Sequence, residues 1–193
     1  CEFREYKLFF FIYHVSIIMD FIKKYSEFMP IFLLLALALV CAGVWGLVWA
    51  NTPSGLLKVV VLDVGQGDSI YIESPTGAQL VIDGGPDDSL LRELPKVMPA
   101  FDHSIDVALE THPHADHIAG FVDLLQRDEV GAFIEPGVVY KSMVVDALEK
   151  EIDDKHIPRY LARRGMVVEL GGGAELDILY PQSDVAHLPE SKV

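Results

Sequence analysis

Hydrophobic patterning changes character near Asn51. From Met29 to Ala50 the chain reads MPIFLLLALALVCAGVWGLVWA, without a charge and without a polar stripe. At 1.5 Å per residue, a helix over this run would be roughly 33 Å long, enough to cross the hydrocarbon layer of a bilayer. A buried helix of a soluble domain would show a polar face, so the run predicts a transmembrane helix or signal anchor instead. Beyond Asn51 the apolar runs become short. Leu57–Leu62 predicts a strand, and Ser69–Glu73 and Gln79–Ile82 predict a β-hairpin around the turn Pro75-Thr76-Gly77. Leu90, Leu91, Leu94, Val97 and Met98 recur at helical spacing, with Pro95 and Pro99 keeping that element short or broken. Ile105–Glu110 and Val130–Ile134 read as strands. Between them, Ile118, Phe121, Val122, Leu124 and Leu125 form one helix face. Ser142–Asp154 predicts a helix with exposed acids, and Met166–Tyr180 two strands around Gly171-Gly172-Gly173. Strands and helices alternate, which predicts a layered α/β body.

Charge sharpens the division. The 193-residue chain holds 29 Asp+Glu against 15 Lys+Arg, a net charge of −14, yet it is 51% hydrophobic. The first fifty residues carry four acids and four bases, so the whole acid excess belongs to the body. The apolar content excludes a disordered chain, and Cys1 and Cys41, both in the leader, exclude a disulfide scaffold. Lys23 and Lys24 precede the apolar run, and no base follows it until Lys58. This asymmetry predicts a single-pass protein of the cytoplasmic membrane, with residues 1–28 as a cytoplasmic leader, 29–50 as the anchor and 55–193 outside the cytoplasm. Trp45 and Trp49 suit the outer interface. Val48-Trp49-Ala50 also resembles a signal-peptide cleavage site, although the apolar run is longer than the usual signal core. Both readings export the body. Residues 1–18 read either as an interfacial segment containing LFFFIY or as translation upstream of a start at Met19.

The chemistry concentrates in Thr111-His112-Pro113-His114-Ala115-Asp116-His117. His112 and His114 are two apart on an extended segment, so both rings can face one ion. Asp116 and His117 fall where the chain turns into the next helix and can be aimed at a second ion. Imidazole with carboxylate suits zinc, manganese or iron, and the thiolates of a closed structural zinc site are missing. Two ions about 3.5–4 Å apart can hold a bridging hydroxide and clamp both oxygens of a phosphoester displacement. The competing reading is a polar loop with histidines by chance. It fits poorly with three of the chain's seven histidines falling in this pattern.

H-P-H-A-D-H resembles the metallo-β-lactamase-fold motif H-x-H-x-D-H. Together with L-D-V-G-Q-G-D-S at Leu62–Ser69 and V-I-D-G-G at Val81–Gly85, it resembles the C-terminal domain of the competence protein ComEC. The resemblance runs from about Leu57 to Pro181. It implies an αββα sandwich, of which this chain holds the N-terminal portion behind its membrane helix, and two divalent ions, zinc or manganese, in the complete domain. By the same resemblance His112 and His114 would serve the first metal and Asp116 and His117 the second. Asp116 would also touch the bridging water as the catalytic carboxylate.

Other residues of these motifs have readings of their own. Gly65 and Gly67 would let the backbone approach an ion or phosphate, with Asp63, Gln66 and Asp68 in the same loop. A plain tight turn is the alternative. Asp83 reads as an acceptor behind the metal ligands, or as a cap or turn residue. Glu110 and Ala119 replace residues that are usually apolar and Gly in relatives.

The family site also takes a third His on the first metal, a bridging Asp and a last His on the second, all from later segments. His156 and His187 read as solvated, so the resemblance implies a domain incomplete at its C-terminus. The expected function is a membrane-anchored, metal-dependent hydrolase acting on phosphodiesters or DNA outside the membrane, tied by resemblance to DNA uptake. The alternative is a noncatalytic, membrane-tethered module that binds metal or a partner. The acid excess counts against a broad nucleic-acid surface, and Arg159, Arg163 and Arg164 are expected on a solvated helix face.

Overall fold

A computed structural model describes residues 13–20, 23–26, 28–100 and 102–188. The chain divides into two units at Ala50–Asn51. In the first, residues 13–20 are helical, while most of the LFFFIY segment lies outside the described residues. Helix α1 spans Met29–Ala50, is apolar on all sides and buries none of its residues. It meets the length and composition requirements of a membrane span, as signal sequences also do.

The second unit starts from a hairpin meander. Strands β1 (Lys58–Val61), β2 (Ile70–Glu73) and β3 (Gln79–Ile82) pair antiparallel. The β2–β3 turn forms because the Ser74 hydroxyl accepts from the amides of Thr76 and Ala78, while Gly77 supplies the positive φ. From β3 onward the strands run parallel, so each step needs a crossover. Helix α2 (Ser89–Glu93), continued by a 3₁₀ turn at Leu94–Lys96, leads to β4 (Ser104–Leu109). Helix α3 (Ala115–Arg127) leads to β5 (Glu129–Glu135), and α4 (Met143–Asp154) to β6 (Arg159–Leu161). The six strands lie in sequence order in one sheet. Strands β7 (Val167–Gly171) and β8 (Ala174–Asp177) form a separate antiparallel pair.

The expected helix face of α3 is the one it buries. Ile118, Phe121, Leu124 and Leu125 pack with Tyr71, Val81, Ile105 and Phe133 of the sheet, and with Leu148 and Ile152 of α4. On the other side of the sheet, Leu109, Ile134, Ala162 and Ile178 meet Val168 and Leu176 from β7 and β8. The layers are therefore helices, a six-stranded sheet and a two-stranded sheet. Helix α4 starts where Ser142 caps the Val145 amide at 3.2 Å. It ends before Pro158, which cannot donate to a helical carbonyl.

That ending overturns one expectation. Arg159 lies on β6 rather than on a helix face, and its guanidinium binds Glu135 at 2.7 Å. Arg163 instead donates to the carbonyls of Pro136 and Ala162. The arginines do not share a helical surface, because the helix stops before them. His156 and His187 are exposed, as expected of solvated residues.

Phe121 is fully buried and stacks edge-on against Phe133 at 5.6 Å. Phe121→Ala is expected to cost about 3–5 kcal/mol of stability, against about 1 kcal/mol for Ser142→Ala. Denaturant unfolding of the full chain in detergent measures both. A Phe121→Ala loss no larger than the capping loss would contradict this packing.

Candidate metal centre

The centre is built where β3, β4 and α3 come together. Strands β3 and β4 pair in register, with Ile82 opposite Leu109, so Asp83 and the His-rich loop leave the sheet side by side. Strand β4 ends at Leu109, and His114 takes the extended N-cap conformation from which α3 begins. Asp116 then lies in the first helical turn, where the helix dipole favours a carboxylate.

Asp83 organises this junction. It is 2% exposed and adopts a left-handed φ of 58°, a conformation that Asp tolerates better than most residues. One carboxylate oxygen accepts the Thr111 amide at 2.8 Å. The other accepts the Thr111 hydroxyl at 2.6 Å and Nδ1–H of His117 at 2.9 Å. Having given its only proton to Asp83, the Thr111 hydroxyl accepts Nδ1–H of His112 at 3.0 Å. Proton bookkeeping thus assigns the same tautomer to both rings and leaves both Nε2 lone pairs free.

Of the four expected ligands the structure brings His112 and His117 into one close set, joined by Asp83, which was expected behind them, while His114 and Asp116 fall outside that set. Ligand atoms of Asp83, His112 and His117 fall within 4.8 Å of one another. Because Asp83 already serves three donors, it acts on the imidazoles rather than beside them, the arrangement typical behind metal-bound histidines. His117 Nε2 lies 3.9 Å from Oδ2 of Asp116. The His112 ring centre is 3.9 Å from that of His117 and 4.8 Å from that of His114. Burial, and next the neighbouring His117 and His114, hold the His112 pKa below the ordinary imidazole value, which favours the neutral, ligating form. Neutral imidazoles with a carboxylate alongside fit a divalent ion such as zinc or manganese.

The glycine loop abuts this motif through Gly67, whose backbone meets that of Asp116. Gly65 has open space beside it, and Asp63, Gln66 and Asp68 are exposed. Thr111 and Tyr140 had no assigned role in the sequence reading. The spacing of the motif hides the link that Thr111 makes between Asp83 and His112. Tyr140 packs edge-on against His114 at 5.5 Å from the loop after β5, far away in sequence. A cavity of about 350 Å³ opens beside His112 and His114, walled on its far side by Ala162, Ile178 and Tyr180.

Glu110, at the end of β4, is 6% exposed. Burial, reinforced by Glu135 and Asp83 and opposed by Arg159, pushes its pKa up to about 8. That shift favours the protonated carboxyl.

A parallel-centred sheet ending in oriented imidazoles beside a carboxylate defines a layered α/β protein with a candidate metal centre. The chain belongs to the metallo-beta-lactamase superfamily, whose sequence profile matches residues 62–181. Three solved structures are similar in fold. The metallo-beta-lactamase SMB-1, bound to 2-mercaptoethanesulfonate, is 15% identical over 63% of this chain and 51% of its own, with a TM-score of 0.43. The metallo-beta-lactamase fold protein YhfI from Bacillus subtilis is 19% identical over 60% and 50%, with a TM-score of 0.42. MEM-A1, a subclass B3 metallo-beta-lactamase from a soil metagenome library, is 19% identical over 63% and 51%, with a TM-score of 0.40. The chain spans about half the length of these structures. No curated protein matches its sequence.

Two expectations follow. Asp83→Asn keeps a residue that tolerates the left-handed backbone but breaks the proton arrangement, so metal affinity should fall about 10–100-fold in a Co²⁺ titration. Unchanged affinity would remove Asp83 from its orienting role. Glu110 binds its proton more tightly folded than unfolded, so its contribution to stability is fully present below about 4.5 and lost as pH rises to about 8. In metal-free protein, Glu110→Gln should therefore gain stability over the wild type progressively across that range. Parallel stability profiles would contradict the shift.

Proposed function

We propose that this chain is a membrane-anchored, ComEC-like metal-dependent hydrolase that cleaves phosphodiesters, DNA among them, outside the cytoplasmic membrane. The observation that carries this reading is the junction of Asp83, Thr111, His112 and His117. It leaves the Nε2 lone pairs of both imidazoles free, with that of His117 3.9 Å from the Asp116 carboxylate. Divalent metal bound there would supply an activated water and neutralise phosphate charge. His112, His114, Asp116 and His117 are the residues that would hold it. The Asp116 carboxylate would orient the attacking water and accept its proton. Support for the phosphodiester comes from the resemblance of D-V-G-Q-G-D-S and V-I-D-G-G to the competence-protein domain. Among the described residues no Lys or Arg lines the cavity beside His112 and His114, so this wall suits an uncharged part of the substrate rather than the phosphate.

Anchoring through α1, with Lys23 and Lys24 on the cytoplasmic side, completes the reading. One observation favours a second reading, a noncatalytic tethered module that binds metal. Among the described residues, only Asp83, His112 and His117 form a group of three close enough to share an ion.

Hydrolysis of bis(p-nitrophenyl) phosphate with added Mn²⁺ or Zn²⁺ separates the two. In the complete domain the enzyme reading expects turnover that a chelator abolishes and that His114→Ala lowers by at least about 100-fold, with poor turnover by these 193 residues alone. Metal binding without turnover by the complete domain would favour the module. For the anchor, protease added to intact spheroplasts should digest the body. A body protected until lysis would reverse the orientation.

A further inference from the structure

We propose that Gly67 is a positioning residue for Asp116, and that its loop and the Asp83–Gly85 loop grip the start of α3 from different points. The inference rests on the metal-binding reading above and concerns where the protein sets its own carboxylate.

Gly67 has a φ of +71°, which favours glycine by itself. Space adds a second and stricter demand. A Cβ built on Gly67 would lie 1.8 Å from the Asp116 carbonyl oxygen, 2.7 Å from its carbonyl carbon and 3.1 Å from its Cβ. These are mainly backbone atoms, and no flexible side-chain tip can swing aside to make room. Any L side chain at 67 must push the first turn of α3 away or unseat the loop.

The helix start has little freedom to move. The Gly84 amide donates to the His117 carbonyl at 2.5 Å, and the Gly120 amide to the Gly85 carbonyl at 3.1 Å. A Cβ on Gly120 would come within 2.0 Å of the Gly84 oxygen. Residues 117 and 120 are thus fixed by one loop, while residue 116 meets the other. A shift of about 1 Å at a reacting group can cost about a hundredfold in rate, and ligand geometry is similarly demanding. The close approach that the sequence suggested for an external ion or phosphate is used here by the protein's own metal motif.

Strain and position can be separated with Gly173, in the β7–β8 turn. Its φ of +83° is similarly left-handed, but a Cβ there meets nothing within 4 Å. The test is Co²⁺ titration of the full chain in detergent, followed by absorption and alongside thermal unfolding. Gly67→Ala should weaken Co²⁺ binding at least about tenfold and alter the d–d spectrum, whereas Gly173→Ala should lose stability and keep its Co²⁺ affinity within about twofold. Adding Gly67→Ala to Asp116→Ala should cost little further affinity, because the displaced ligand is already gone.

Equal Co²⁺ affinity in wild type and Gly67→Ala overturns the inference while leaving the metal reading intact. A wild type that takes up no Co²⁺ overturns both. Should Gly67→Ala not fold, D-alanine installed at 67 by ligation decides the matter, since it accepts positive φ and puts its methyl on the opposite side of Cα. Wild-type affinity there supports the proposal, and a tenfold loss overturns it.

Discussion

The buried Asp83 carboxylate is the constraint on which the rest of the body depends. A charge at 2% exposure is tolerable only when hydrogen bonds replace its lost water, and here Thr111 and His117 supply three. Those same bonds join the end of β3 to the loop after β4 and to the first turn of α3. Removing the acceptor would leave the buried His117 N–H without its partner and release the exposed Thr111 to water, undoing the link between the two histidines. The fold and the orientation of the imidazoles are therefore one problem with one solution.

Around that junction, backbone meets backbone. Gly120 costs α3 about 1 kcal/mol relative to Ala in intrinsic propensity, yet only a residue without Cβ lets the helix reach the Gly84 carbonyl. The buried face of α3 is spent on Ile118, Phe121, Leu124 and Leu125, which seat it on the sheet. Asp116 and His117 are thus mounted on a core element rather than on a free loop. Apolar burial supplies the stiffness that a ligand set needs.

Much of this was legible in the sequence, and the exceptions have physical causes. Strands β1 to β5 and the face of α3 follow from hydrophobic patterning, whereas the three exposed residues of β6 carry no such signal. H-P-H-A-D-H was legible because its candidate ligands fall within six residues, and Asp83 because an acid precedes two glycines at a strand end. Tyr140 was not legible, since its contact with His114 is made between segments that no local pattern links. Clustered arginines suggest a solvated helix face, but Arg159 lies on β6, where its partner Glu135 comes from a strand distant in sequence. For Gly67 the sequence suggests close approach to an ion or phosphate, whereas the group the structure places there is the Asp116 carbonyl, which no local pattern could name.

The network is also short in sequence. Asp83 reaches Thr111 across 28 residues and His117 across 34. Loop-closure entropy grows only logarithmically with such separations, about 0.6 kcal/mol per doubling, so the chain closes this junction at modest cost. In a polypeptide made from its N-terminus, every donor and acceptor of the network exists once Gly120 has been added, before β5 to β8 are synthesised. The geometry of the metal motif can therefore begin to form while the chain is still growing, with the later strands arriving to stabilise a shape already under construction.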